Sequence, residues 1–374
     1  MEKAPFYLTK RKLKSGKTVY YYYTYDENDN RTVPKSTGFS RKNDAFNFCL
    51  SLFQRGSVKQ VLSFGSFAKD WFTDKHDWTK DRQVIGKIAP STLESYLFRL
   101  NHYILPYFSN IQLSKITLLD IKNLRFKLLE KYSSKTINGT MAILHIMLEY
   151  AVECGLLAKN PMRTLVPLKE EEKREAFFIE EVKHLFSQKW SESDNDIKVA
   201  CLLATVTGMR VSEIAGLQKD QVFEGYINVD RQYYRKELRP PKRDLRFVPI
   251  PKRLENLLRD RFSTNPYVFW DKKNGSPMES DKIRYVLTKY YSKEMLERKK
   301  TNNLTFHSFR YFFNTYLVMN NINEDKVNFV IGHSSGKGSM KRLYTTWRPE
   351  MYDDVRQLQD KLIKELKVED FLLC

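Results

Sequence analysis

The chain changes character at one place, and that place limits what it can fold into. Asn160-Pro161 closes an apolar helical stretch, and Leu168-Lys-Glu-Glu-Glu-Lys-Arg-Glu175 then puts seven charged side chains into eight residues. Such a run is too costly to bury, so no single core extends across it. The 374 residues must be shared among separate cores, two or three at ~100–200 residues each.

Upstream of that break the texture changes again. Phe6-Tyr-Leu-Thr, Thr18-Val-Tyr-Tyr-Tyr-Tyr-Thr-Tyr25 and Arg31-Thr-Val are β-rich runs separated by Ser15-Gly16 and Asp26-Glu-Asn-Asp-Asn30, the pattern of a small three-stranded antiparallel sheet. Asn43 to Phe53, with apolar residues at 45, 46, 48, 49, 50 and 53, predicts a helix covering it. Residues 64–160 read as entirely helical: a capping box in Pro90-Ser91-Thr-Leu-Glu94, then helices over Leu118–Tyr132 and Thr136–Cys154, the last closed by Gly155. His145 belongs to the core or rim of that last helix.

Downstream, helices are expected at 179–189, 197–207, 210–218, 251–262, 279–292, 306–320 and 323–331, with short strands at Gly225–Asp230, Gln232–Tyr234 and Arg246–Ile250. A final amphipathic helix, Glu350 to Leu366, carries Met351, Val355, Leu358, Leu362 and Ile363. The fold class is therefore multidomain α+β: a three-stranded sheet plus helix over 1–60, an all-helical domain over 64–165, and a mainly helical domain with a small antiparallel sheet over 174–374.

Composition narrows the partners. The net charge is +19 with 22 tyrosines, and the first sixty residues alone hold 12 Lys and Arg against 5 acids. That balance points to a polyanion, because neutralised phosphates release counterions. A sheet with Lys10, Arg11, Lys12, Lys14 and Lys17 around its first hairpin has the size to lie in a DNA major groove. The four cysteines form no CxxC pair, which argues against a disulfide framework and a zinc ribbon. Neither a bilayer-length apolar run nor a signal core is present, so a soluble intracellular protein with no membrane partner is expected.

The chemistry is concentrated in the last 170 or so residues. In Thr207-Gly-Met-Arg-Val-Ser-Glu-Ile-Ala-Gly-Leu217, Gly208 ends one helix and puts Arg210 at the start of the next, where a planar fixed charge joins a helix N-terminus in favouring an anion. Glu213, three residues on, can orient it. Thr305-Phe-His-Ser-Phe-Arg310 places His307 and Arg310 at i, i+3, a spacing that suits one phosphate between them. Ile331-Gly-His333 and Leu343-Tyr-Thr-Thr-Trp347 follow.

Arg-x-x-Glu, a basic hairpin, His-x-x-Arg, Gly-His and then Tyr, in that order and spacing, closely resembles the tyrosine recombinase (phage integrase) family. The three-part layout resembles that family's integrases, with an arm-site-binding sheet, a helical core-binding domain and a catalytic domain. The resemblance implies that Tyr344 is the nucleophile, attacking a phosphodiester to leave a 3′-phosphotyrosine. It implies that Arg210 and Arg310 clamp the phosphate, that His307 and His333 donate to it or manage the tyrosine proton, and that Glu213 supports the site. Lys242, in Pro240-Pro-Lys-Arg-Asp-Leu-Arg-Phe-Val-Pro249, matches the family's general acid, with Lys236 an alternative. Arg243 and Arg246 of the same hairpin are read as DNA contacts, and Tyr316 and Tyr352 are rival tyrosines. The stretch between His333 and Tyr344, Ser-Ser-Gly-Lys-Gly-Ser-Met-Lys-Arg-Leu, is Gly-rich and slightly longer than the family pattern.

By the same resemblance the chain is an integrase of a prophage or other mobile element. It would act in the bacterial cytoplasm as a homo-tetramer on double-stranded DNA with core and arm attachment sites, assisted by a directionality factor and a DNA-bending host protein. The final helix is expected to dock on a neighbouring protomer. No metal or other cofactor is implied, since positioned cations can stabilise phosphoryl-transfer charge. Two other readings remain: a type IB topoisomerase, which would relax DNA regardless of sequence, and a non-catalytic DNA-binding regulator, which would lack an active-site residue.

Overall fold

The computed structural model describes all residues except 1–5, 14–15, 26–29, 55–61, 87, 171–174, 242–244, 303, 333–347 and 369–374. The chain divides into two compact units between Glu171 and Glu172, inside the charged run.

In the first unit, β1 (Tyr7–Lys12), β2 (Thr18–Tyr23) and β3 (Lys35–Ser36) form one antiparallel sheet in the order β1-β2-β3, followed by α1 (Lys42–Gln54). Tyr7 pairs with Tyr23 and Lys12 with Thr18. The third strand lies later than the β-branched residues Thr32 and Val33 predict. Val33 is 84% exposed, the Thr32 hydroxyl is spent on the Thr24 carbonyl, and Pro34 has no N–H to give a ladder. Pairing resumes only at Tyr22 with Lys35 and Tyr21 with Ser36.

The helical part of this unit contains α2 (Phe64–Phe67), α3 (Asp77–Val84), α4 (Pro90–Arg99), α5 (Leu105–Phe108), α6 (Leu118–Leu129) and α7 (Ser134–Glu153), with a π-turn over Leu100–Ile104 joining α4 to α5. The capping box expected at Ser91 is absent, because Pro90 takes the first helical position and leaves Ala89 as an N-cap without a side-chain bond. The reciprocal box sits at Thr117 and Asp120 instead. Asn160 is buried against α7: its amide donates to Glu149 (2.8 Å) and to the His145 carbonyl, and meets the His145 ring at 3.2 Å. Asn138 likewise exchanges two hydrogen bonds with the Leu168 backbone. The chain thus stays fastened to the first unit past Pro161, up to the charged run.

The second unit contains α8 (Ile179–Ser187), α9 (Asn195–Thr207), α10 (Val211–Ala215), α11 (Lys252–Arg259), α12 (Ser280–Leu287), α13 (Lys293–Asn302), α14 (Ser308–Met319), α15 (Glu324–Ile331) and α16 (Asp353–Glu365). Its strands are β4 (Val222–Phe223), β5 (Tyr226–Val229) and β8 (Arg246–Pro249) in one antiparallel sheet, the hairpin β6 (Gln232–Tyr234) and β7 (Glu237–Arg239), and the pair β9 (Trp270–Asp271) and β10 (Ser276–Pro277). Every residue of α9 from Val199 to Thr207 is buried, as a helix apolar all round must be.

Two sequence expectations fail here. α13 carries no periodic apolar stripe in Lys-Glu-Met-Leu-Glu-Arg-Lys-Lys; it is held by the fully buried Met295, by Ser292, which accepts from the Met295 N–H, and by Arg298, which pairs with Glu175 (2.6 Å) and Glu181. The final helix does not await a neighbouring protomer. Val355, Leu362 and Ile363 of α16 are buried in its own unit, and the buried Gln359 amide donates to the carbonyls of Val206 (2.8 Å) and Pro249 (2.7 Å).

Candidate active site

The site begins where α9 stops. Gly208 takes a left-handed conformation (φ 66°) and its N–H bonds back to Ala204. A side chain there would be strained and would press on the Phe313 ring, 3.2 Å from its Cβ. Two residues later Arg210 is extended and forms the N-cap of α10. Glu213, in the third helical position, accepts the Arg210 backbone N–H at Oε2 (2.9 Å) and the Arg210 Nη1 at Oε1 (2.7 Å). The Arg-x-x-Glu spacing therefore closes both a capping bond and an ion pair.

A second arginine completes the glutamate. Arg246, at the start of β8, donates Nη1 to Oε1 (3.0 Å) and Nη2 to Oε2 (2.7 Å), while its Nε donates to the Val330 carbonyl (3.0 Å). Burial pushes the Glu213 carboxyl up, but Arg246 by charge and hydrogen bonding, and then Arg210, outweigh it and hold the group at about 2. The expectation that Arg246 contacts DNA is corrected by this geometry. Its side chain is 2% exposed, and its fork is turned inward because it shares the inner face of β8 with Val248.

Arg310 sits in the first turn of α14, 2% exposed. Its Nη1 donates to the Gly208 carbonyl (2.9 Å), whereas its Nε and Nη2 are buried with no hydrogen-bond partner among the described residues. Burial, with the like charges of Arg210 and Arg246, pulls this guanidinium down to about 9. Two unsatisfied donors on a desolvated cation are expensive. An anion accepting from those donors would offset the cost. His307 caps the same helix, half-buried, with its ring edge-on to Tyr311 at 5.0 Å. The structure thus gathers Arg210, Glu213 and Arg310 into one electrostatic cluster and puts His307 on the helix that carries Arg310.

Lys242, Arg243, His333, Tyr344 and Lys14 lie outside the described residues, as does the Gly-rich stretch before Tyr344. The residue preceding His333 is described: Gly332 caps α15 in a left-handed conformation (φ 70°), and its carbonyl accepts Arg210 Nη2 (3.2 Å). Lys236 lies with Arg235 in the two-residue turn between β6 and β7, both with positive φ. The rival tyrosines fit poorly as nucleophiles. Tyr352 is fully buried among Phe247 and Phe329, and burial drives its phenol up; Tyr316 is half-buried and shifted the same way.

The basic candidates of the N-terminal sheet are exposed but do not share a face. Strand alternation puts Tyr7, Thr9 and Arg11, with their partners Tyr23, Tyr21 and Val19, on one side, and Lys10 and Lys12 on the other. On the first side Arg11 lies 5.1 Å from the Tyr21 ring centre and Arg31 3.6 Å from that of Tyr23. Arg31 was not among the sequence candidates; its signal was its place beside the tyrosine-rich strand. Among the described residues no group of three His, Cys, Asp or Glu side chains could hold a metal ion, and no helix is long and apolar enough to cross a membrane.

Residues 175–350 match the phage integrase family, and residues 63–129 match the phage integrase N-terminal SAM-like domain. A tyrosine recombinase XerC of Listeria monocytogenes is 27% identical over 243 residues, 59% of this chain and 75% of that protein. A XerC-like recombinase of Caldanaerobacter subterraneus is 27% identical over 300 residues, 70% and 75% of the two chains. In fold, the Tn1549 transposon integrase solved with transposon right end DNA aligns at TM-score 0.59 and 19% identity over 76% of this chain and 98% of its own. The lambda integrase tetramer solved on a Holliday junction aligns at 0.57 and 15% over 88% and 96%.

Fold and site together define an enzyme that breaks and rejoins DNA strands. The chain belongs to the phage integrase family, the tyrosine recombinases, and its reaction is site-specific recombination.

Proposed function

We propose that this recombinase is the integrase of a mobile element, and that it cuts DNA by attack of the Tyr344 hydroxyl on a phosphodiester, leaving a 3′-phosphotyrosine and a free 5′-hydroxyl. The observation that carries the reading is Arg310, a buried cation with two donors that have no partner among the described residues, beside a second arginine that Glu213 holds in place. In phosphoryl transfer, negative charge builds on the non-bridging oxygens, and preorganised cations there supply most of the stabilisation. Arg210 and Arg310 take those oxygens, His307 and His333 donate to the same phosphate or handle the tyrosine proton, and Lys242 protonates the departing 5′-oxygen, a step worth ~10²–10⁴ in rate. The phosphotyrosine keeps the energy of the diester, so a 5′-hydroxyl rejoins the strand by the reverse attack without a nucleotide cofactor or metal.

Three modules divide the DNA. Residues 1–60 bind an arm site, and residues 64–165 and 174–374 each bind the core site, four protomers acting on two duplexes. The likeness to a transposon integrase and to a tetrameric lambda integrase supports that assembly; a directionality factor and a DNA-bending host protein would act on it.

The test needs a substrate, obtained by selecting a duplex that the protein binds from a randomised pool and nicking it near the cut position so that the short strand diffuses away. The wild type should form a denaturant-resistant protein–DNA adduct, and Tyr344→Phe should bind the duplex but form none. An adduct that persists in the variant would assign the nucleophile elsewhere. Relaxation of supercoiled plasmid regardless of its sequence would favour the topoisomerase reading.

A further inference from the structure

We propose that Arg246 is a positioning residue of the cleavage reaction: it locks Glu213, and through it Arg210, to the end of α15 from which His333 emerges. This rests on the reading of Arg210 and Arg310 as the phosphate clamp. Arg246 itself touches no substrate, since its side chain is 2% exposed.

The connections run in two directions from one guanidinium. Toward α10, two parallel hydrogen bonds of 3.0 and 2.7 Å fix the plane of the Glu213 carboxylate, whose remaining capacity is spent on Arg210. Toward α15, the Arg246 Nε holds the Val330 carbonyl at 3.0 Å, and Arg210 Nη2 holds that of Gly332. The last turn of α15 is therefore pinned by two arginines that share one carboxylate. Gly332 is required for the approach: a Cβ there would stand 2.9 Å from Arg246 Cδ and 3.0 Å from Nε. A fork with three donors in one plane makes this link, whereas the single point charge of a lysine cannot.

The charged and titratable groups facing the cluster are Glu213 and Arg210 from α10, Arg246 from β8, and Arg310 and Tyr311 from α14. With Arg246 in place Glu213 stays ionised throughout the range in which the enzyme can be assayed. Without it, burial of the carboxyl is opposed only by its hydrogen bonds and ion pair with Arg210 and by the more distant charge of Arg310, and the group takes up a proton at higher pH. The proton removes the negative charge and turns one of the two accepting oxygens that aim Arg210 into a donor, and misplacing a clamp residue by about 1 Å can cost on the order of 10²-fold.

The experiment measures single-turnover cleavage of the selected nicked duplex, at saturating protein, from pH 5 to 8. Arg246→Met should bind the duplex as the wild type does and cleave it more slowly by about tenfold or more, with the deficit widening as pH falls. Adding Glu213→Gln to that variant should abolish the widening, because the titrating group is gone. Arg246→Lys keeps the charge but not the fork, and folds more securely. It should show the wild-type pH profile at a reduced rate. Cleavage by Arg246→Lys at the wild-type rate, or an Arg246→Met deficit that is the same at every pH, would overturn the inference. A wild type that forms no adduct would instead overturn the clamp reading on which it rests.

Discussion

The arginines of the two units are held in opposite ways. In the N-terminal sheet, Arg11 and Arg31 are exposed and rest on the faces of Tyr21 and Tyr23, where solvent and salt screen them. In the second unit, Arg210, Arg246 and Arg310 surround one buried carboxylate, in a medium that screens little. The first arrangement costs little to maintain and gives a long-range attraction. The second is strained in charge until an anion arrives, and directs its cations at one point. A net charge of +19 therefore stands for two kinds of cation.

Removing Arg310 should separate the two kinds most sharply. Arg310→Met eliminates an under-compensated buried charge, so urea unfolding should show stability unchanged or raised by ~1–3 kcal/mol. Cleavage in the nicked-duplex assay should meanwhile fall by ~10²–10³. A variant that lost stability and kept its rate would break the contrast.

Next in size is Glu213. Its folded pKa of about 2 lies below the ordinary 4.5, so the carboxylate stabilises the fold fully above pH ~4.5 and loses that contribution as pH falls toward 2, on the order of 3 kcal/mol in all. Urea midpoints of Glu213→Gln should lie well below wild type at pH 7, with the gap closing between pH 5 and 3. A gap independent of pH would mean that the glutamate acts by shape and not by charge.

The exposed cations should answer to salt. Deleting residues 1–60 should flatten the dependence of arm-DNA binding on salt by several units of slope, at ~0.9 per phosphate contact, while leaving cleavage of a core duplex intact. Arg31→Ala alone should lower the slope by about one unit and change the melting temperature little, since an exposed cation–π contact is worth ~0.5–1 kcal/mol. An unchanged slope in the deletion would return this charge to a role in solubility.

How far the sequence could be read followed the same division. Helix α9 was legible because nothing but apolar burial explains Val199-Ala-Cys-Leu-Leu-Ala-Thr-Val206, and Gly208 marked its end. Arg210 and Glu213 were legible through their local spacing. Arg246 was misread because its partner lies 33 residues earlier in the chain, and charge in a basic hairpin resembles a surface. Its alternation with Val248 was the available signal. The third strand was misplaced because β propensity at Thr32 and Val33 yields to the missing donor of Pro34, and α13 was missed because a single buried residue, Met295, and the ion pairs of Arg298 hold it in place of a periodic apolar face.

One contact has a consequence in time. The Gln359 amide satisfies the carbonyls that end α9 and β8, yet α16 is made after every other helix described in the second unit. During synthesis those two carbonyls stay open while Arg210, Arg246 and Arg310 are already outside the ribosome. Until translation has passed Gln359, a half-made chain therefore carries the cations of a DNA-cutting enzyme while the ends of α9 and β8 beside them are still open.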